Sequence, residues 1–287
     1  MTDYRIAAED RTPLVIGGVG GSGTRLVASL LQQMGIAMAG QMNEELDNLW
    51  FSALFIRRSI VLKSPAELDR LSWLFTNAMR HGQPIPGELE PLVDDACRYD
   101  RGPALTKTVL EQACAGLRAA AIASDPAQSW GWKQPNSHVM VPLLNERFTG
   151  MKYIYVVRNG LDMAFSGNQN QLKYFWGDLL LEGDTSPTHH NALRYWVAAH
   201  RRMLANRELL GDRLCILNFD QLCRAPQEQL SALADFAGLQ PTSQMLESLA
   251  AGIRAPGSTG RYLQRDCSSL DPADIEYVRQ QGFPVEL

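Results

Sequence analysis

The sequence has little that would tie it to a membrane, a metal or a polyanion. No stretch of its 287 residues approaches the length of an apolar membrane helix. Its first twelve, MTDYRIAAEDRT, lack both the apolar centre of a secretion signal and the composition of a transit peptide. A cytoplasmic protein without a membrane span is expected. Positive charge is not in excess: 27 Lys and Arg stand against 31 Asp and Glu, a formal net charge of −4. No general basic field therefore draws the chain onto nucleic acid or anionic lipid, and any phosphate recognition has to be local. Cysteines number five, at positions 97, 114, 215, 223 and 267, an odd count without CxxC or Cys/His ligand spacing. They read as reduced thiols rather than a disulfide framework or a zinc site. With no internal repeat and no low-complexity linker, one domain spanning 1–287 is expected, with a helical excursion at about 46–125.

What the chain does have is glycine, concentrated in PLVIGGVGGSGTRLVASLL from Pro13 to Leu31. The apolar run Leu14–Ile16 reads as a buried strand, and five glycines between Gly17 and Gly23 let the backbone turn without Cβ clashes. From Thr24 onward, Leu26, Val27, Leu30, Leu31 and Met34 recur at helical spacing. The loop thus sits at a helix N-terminus, where unpaired amides and the positive end of the dipole favour phosphate or sulfate. A plain strand-to-helix turn needs only one or two glycines.

Further along, Ile36–Ala39 reads as a short second strand leading to an acidic cluster, Glu44, Glu45 and Asp47. The following residues to about Ala123 are helical in pattern, with Ser64-Pro65-Ala66-Glu67 marking a capping box, and their aromatics read as core. A strand at Ser129–Lys133 ends at Lys133-Gln134-Pro135, where proline blocks extension. Met151–Val157 is the strongest strand and ends at Arg158. Because open α/β sheets bind ligands beyond the carboxyl ends of their strands, Lys133 and Arg158 should share a crevice with the glycine loop. Gly167–Asn191, with Tyr174, Phe175 and Trp176, reads as either a lid over that crevice or a packed surface loop. Leu214–Leu217 is a further strand, and Gly257-Ser258-Thr259-Gly260-Arg261 a small polar loop that supplies Ser258, Gly260 and Arg261 as anion-binding candidates.

Three chemistries compete for the glycine loop. Gly18–Gly23 fits the dinucleotide fingerprint GxGxxG, with Glu44 about twenty residues on to hold a ribose hydroxyl, as an NAD(P)-dependent oxidoreductase requires. The same stretch nearly fits an ATP-binding P-loop, yet Thr24 and Arg25 stand where lysine and a magnesium-binding hydroxyl belong. The third reading uses more of the chain. IGGVGGSGTRLVASLL, GWKQP, KYIYVVRNGLDMAFS and LCILNFDQL together resemble the sulfotransferases that use 3′-phosphoadenosine 5′-phosphosulfate (PAPS), in motif style the tyrosylprotein and bacterial branches. That resemblance implies a three-layer α/β fold with a central, mainly parallel sheet, P-loop-NTPase-like, carrying helical insertions. It implies transfer of the PAPS sulfuryl group to a hydroxyl of a small-molecule or glycan acceptor, without a metal, releasing 3′-phosphoadenosine 5′-phosphate (PAP).

The same resemblance assigns residues. Gly20, Gly21, Ser22, Gly23, Thr24 and Arg25 match the loop that binds the 5′-phosphosulfate, and Arg158 and Ser166 the pair that binds the 3′-phosphate. A guanidinium grips a phosphate monoester with two parallel bonds, and neither ATP nor NAD carries a 3′-phosphate. Many relatives have a cation just before the Ser-Gly-Thr triplet, where this chain has Gly21, so Lys133 is expected to supply that charge, with Arg25 in reserve. Relatives use a glutamate or histidine as base, which points to Glu44, with His138 as the alternative. A non-catalytic nucleotide-binding module would bind the nucleotide without turnover.

Overall fold

A computed structural model describes residues 4–120 and 128–286, so the end of the helical excursion lies outside the described residues. Strands β1 (Leu14–Gly18), β2 (Gly131–Lys133), β3 (Lys152–Val157) and β4 (Leu214–Asn218) form one sheet in the order β2-β1-β3-β4. Every pairing is parallel, with Ile16 opposite Lys133 on one side and Ile154 on the other. Parallel strands need both faces covered, which is why β1 and β3 read as unbroken apolar runs.

Alternation along these strands sends residues to two cores. Leu14, Ile16, Ile154 and Val156 pack with α1 (Thr24–Gln33) and the helix Pro226–Ala237. Val15, Tyr153, Tyr155 and Val157 face a larger, aromatic layer on the other side. The result is the expected three-layer α/β architecture. Each fully buried Val, Ile or Leu contributes roughly 1.5–3 kcal/mol, so the strand cores alone outweigh most single surface interactions.

The excursion after α1 is helical: α2 (Leu49–Phe55), α3 (Pro65–Thr76), α4 (Glu90–Ala96) and α5 (Lys107–Arg118). The capping box starts α3, with Glu67 N–H donating to Ser64 Oγ at 3.3 Å and Ser64 N–H to Glu67 Oε2 at 3.0 Å. Phe51 stacks on Phe55 and Trp132 at centroid separations of 4.7 and 5.3 Å, so these aromatics are core. Between β2 and β3 runs α6 (Val141–Arg147), and α7 (Gly160–Ala164) follows β3. Among the described residues no helix is long and apolar enough to cross a membrane.

Two expectations need correction. Ile36–Ala39 is not a strand but a single parallel bridge, Ala37 to Trp130. The chain beyond it is pinned to the end of β2 instead, Asn48 N–H donating to the Lys133 carbonyl at 2.9 Å. The aromatic part of Gly167–Asn191 is packed helix and no free lid: Phe175 and Trp176 are buried within the π-helical turn Gln171–Trp176, and Trp176 Nε1 donates to Asn136 Oδ1 at 2.9 Å.

Candidate active site

The glycine loop leaves β1 and enters α1 through Gly23, whose φ of +100° lies in the left-handed region. A Cβ there would also meet the Phe219 ring at 2.1 Å, so glycine is required on two counts. Leu26 N–H donates back to the Gly23 carbonyl, whereas the amides of Thr24 and Arg25 open the helix and point outward. Ser22 is buried, and its Oγ finds no partner among the described residues. An orphaned hydroxyl beside open amides at a ten-residue helix's N-terminus is an anion cradle. Arg25 is exposed at its edge.

A second cluster of charged and hydroxyl side chains is built where β3 ends. Arg158 is 4% exposed, and its Nη2 donates to Ser258 Oγ at 3.1 Å and Thr259 Oγ1 at 3.3 Å. Asp162, one turn on along α7, lies 3.7 Å from Nη2, and Asp220 lies 3.9 Å from Nε. These two carboxylates are tied elsewhere as well. Asp162 accepts the amides of Gly260 at 2.8 Å and Tyr262 at 3.3 Å, which fastens the 257–262 loop beside Arg158. Asp220 accepts Asn159 N–H at 3.0 Å, and burial pushes its carboxyl above the ordinary range against the pull of that amide and of Arg158. Arg158 Nε has no hydrogen-bond partner among the described residues. Arg261 donates to the carbonyls of Ser258 and Phe165, both at 3.2 Å; burial, then the neighbouring Arg158 charge, depresses its guanidinium.

Ser166 lies against the glycine loop. Its Oγ is 3.6 Å from where a Gly21 Cβ would stand, and Asn168 Nδ2 is 3.4 Å from the Gly20 position. The loop after α7 is therefore laid against the glycine loop.

At the end of β2, Lys133 is buried, its Nζ donating to the Glu45 carbonyl at 2.9 Å and to Asp47 Oδ1. Burial lowers the Lys133 ammonium and raises the Asp47 carboxyl, while each charge opposes the other's shift. Glu44 stands exposed in the turn Asn43–Leu46, whereas Asp47 is half-buried. Asp47 and Gly20 line one cleft of about 80 Å³.

His138 is buried one layer behind that cleft. Its Nε2 meets Gln171 Oε1 at 3.3 Å, while Gln171 Nε2 donates to the Gly18 carbonyl at 3.1 Å. Burial lowers the imidazole to about 4, against the pull of the Gln171 contact, so it is neutral at pH 7. Gln171, and not His138, reaches the cleft wall.

Of the residues singled out from sequence, Gly20 to Arg25 lead from β1 into α1, Ser166 lies against Gly21, Arg158 meets the 258–261 loop beyond β3, and Lys133 pairs with Asp47, which lines a cleft with Gly20. Sequence reasoning missed Asp162, although its place four residues after Arg158 on a helix was a readable signal. Asn168, two residues past Ser166, and Thr259, within the 257–261 loop, were equally near to residues already chosen.

A family model described as the sulfotransferase family matches residues 13–243. The sulfotransferase domain of the Synechococcus PCC 7002 olefin synthase is 14% identical, covers 96% of each chain and superposes with a TM-score of 0.51, which shows the shared fold. Sulfotransferase STF9 from Mycobacterium avium is 16% identical over 98% of this chain and 79% of its own, TM-score 0.49. Mouse sulfotransferase SULT7A1, solved in complex with PAP, is 11% identical over 97% and 85%, TM-score 0.48. No curated protein sequence matches. With a family model spanning most of its length, the chain belongs to the sulfotransferase family, enzymes that move a sulfuryl group to an acceptor.

Proposed function

We propose that the chain transfers the sulfuryl group of PAPS to an acceptor hydroxyl and releases PAP. The observation that carries this reading is the buried Arg158, held by Ser258 and Thr259 with its Nε not hydrogen-bonded among the described residues, at the end of the strand beside β1, while Ser166, eight residues on, lies against the glycine loop. Two orphaned buried groups, Ser22 Oγ and Arg158 Nε, are what a 5′-phosphosulfate and a 3′-phosphate would satisfy. The dinucleotide reading, by contrast, loses its acidic partner, since Glu44 is exposed in a turn and only isolated bridges stand between α1 and it.

Each residue then has a task. The Thr24 and Arg25 amides and Ser22 hold phosphosulfate oxygens, fixing the donor for in-line attack. Lys133 has three N–H donors, two of them given to Glu45 and Asp47; the third is available to a sulfuryl oxygen. Arg158, Ser166, Ser258 and the Arg261 guanidinium take the 3′-phosphate, while Gly260, its amide given to Asp162, fastens the 257–262 loop. Asp47 replaces Glu44 as the base, because it is the carboxylate on the cleft wall. As the acceptor oxygen bonds to sulfur, the bond from sulfur to the 5′-phosphate oxygen breaks and Asp47 receives the hydroxyl proton.

Incubation with PAPS and a panel of hydroxyl acceptors, followed by chromatography of PAP and mass spectrometry of the acceptors, tests the proposal. Acceptor-dependent PAP release is expected. Tight PAP binding without turnover on any acceptor would leave only the nucleotide-binding module.

A further inference from the structure

The cleft between Gly20 and Asp47 carries an unusual wall. Six of the side chains lining it are carboxamides: Asn43, Gln134, Asn136, Asn168, Asn170 and Gln171. Among the described residues its charged lining is Asp47 alone, and its aromatic lining Phe175 alone. From this wall we infer that the acceptor is a neutral, polyhydroxylated molecule of the carbohydrate class, which rests on the sulfuryl-transfer reading above and names its substrate.

The chemistry follows from what a carboxamide offers. Each has two N–H donors and a carbonyl with two lone pairs, without net charge. A sugar hydroxyl likewise donates one hydrogen and accepts two, so a row of amides pairs with a row of hydroxyls in either direction. An anionic acceptor, such as a uronic acid or an acidic peptide, calls for arginine or lysine on the wall, and the described lining has neither. A phenol or a sterol calls for an apolar slot, where unmatched buried amides would cost affinity.

Several of these amides are fixed before a ligand arrives. Gln134 Nε2 donates to Ser52 Oγ at 2.6 Å, and Gln134 Oε1 accepts Asn136 Nδ2 at 3.1 Å. Asn136 Oδ1 in turn accepts the Trp176 indole at 2.9 Å, and Asn43 Oδ1 accepts Asp47 N–H at 2.7 Å. Gln171 is held between Gly18 and His138. Preorganised polar groups lose little entropy on binding, which favours a weakly apolar ligand such as a sugar. Phe175, with Leu49, Leu105, Ala104 and Pro135, supplies the apolar part of the wall for the ring's C–H side. At about 80 Å³ the cleft is small beside the roughly 300–1,000 Å³ of drug-sized pockets, so it takes the reacting edge of one ring and leaves the rest of the acceptor outside.

The test compares acceptors and variants on the full chain, with PAPS as donor and PAP binding measured alongside. Methyl glycosides of glucose, galactose, mannose and N-acetylglucosamine are set against methyl glucuronide, 4-nitrophenol and a hydroxysteroid. At least one neutral glycoside is expected to show kcat/KM about tenfold or more above every anionic or apolar acceptor. Asn136→Asp keeps the acceptor for Trp176 but replaces two donors, one of them given to Gln134, by a negative charge; Asn170→Ala removes an amide whose side chain has no capping bond. Each should raise KM for that glycoside roughly five- to tenfold, with kcat and PAP affinity within twofold of wild type. Preference for the phenol, the steroid or the glucuronide, or no sulfation of any neutral glycoside at millimolar concentration while PAP binds, overturns the inference and leaves the nucleotide reading standing. Failure to bind PAP overturns both.

Discussion

Replacing Arg158 with alanine tests recognition of the 3′-phosphate at the side chain on which the reading rests. The guanidinium is buried, donates to Ser258 and Thr259, and keeps one nitrogen unpaired, so it is preset for a phosphate monoester. Deleting a charge-assisted bidentate contact should cost about 1.5–3 kcal/mol, roughly 10- to 150-fold in PAP affinity. Adenosine 5′-phosphate, which lacks only the 3′-phosphate, should lose less than about threefold. Stability is a separate matter, because the change also strips Asp162 and Asp220 of their nearest countercharge. Removing one partner of a buried pair typically costs about 3–5 kcal/mol, and here the Gly260, Tyr262 and Asn159 amides still hold the two carboxylates. Unfolding is therefore followed in parallel, and Arg158→Lys serves as control, since it keeps the charge and loses the fork. The assay is isothermal calorimetry of all three proteins with both nucleotides. Equal losses for PAP and for adenosine 5′-phosphate would refute the assignment; Ser166→Ala should show a smaller effect of the same selectivity.

Lys133→Ala should lower kcat by well over tenfold while PAP affinity changes less, and kcat near wild type would pass the sulfuryl contact to Arg25. Asp47→Asn should reduce kcat about a hundredfold, whereas Glu44→Gln stays within a few-fold; the reverse pattern in single-turnover kinetics restores Glu44 as base. Activity should fall on the acid side with an apparent pKa above the ordinary carboxylate range, since burial raises Asp47. Stability should fall there too. Burial holds the folded His138 imidazole down to about 4, below the ordinary value of about 6.5, so the unfolded chain binds its proton first. Its contribution is complete above pH 6.5 and lost as pH drops towards 4, on the order of 3 kcal/mol, and urea titrations of His138→Gln should show a flatter dependence than wild type over that window. His200, also near 4, titrates in the same window and leaves a residual slope in that variant.

The parts of the site that lie within one supersecondary unit were legible in the sequence. Strand, glycine loop and helix follow one another from Leu14 to Gln33, and the apolar run before Arg158 marks a strand end, so local pattern suffices for both. Pairing across the fold was not legible. Lys133 and Asp47 are 86 residues apart, and nothing local says that the lysine chooses Asp47 over Glu44. That choice is made by the turn Asn43–Leu46, which turns Glu44 outward while Asn43 Oδ1 holds the Asp47 amide. Tyr174-Phe175-Trp176 misled for a related reason: whether an aromatic run packs or swings free depends on a partner, here Asn136, 40 residues earlier. Ile36–Ala39 has strand composition, yet a strand needs an edge to extend along, and the chain is diverted after one bridge.

The central claim is recognition of a nucleotide that bears a 3′-phosphate, and thermal unfolding with PAP, adenosine 5′-phosphate, ADP and NAD measures it directly. A ligand at a hundredfold excess over its Kd adds about 2.7 kcal/mol, enough to raise Tm by several degrees in a chain of this size. The account predicts a shift of that order with PAP and a clearly smaller one with each of the other three. A shift with NAD alone, or equal shifts with PAP and adenosine 5′-phosphate, would contradict it.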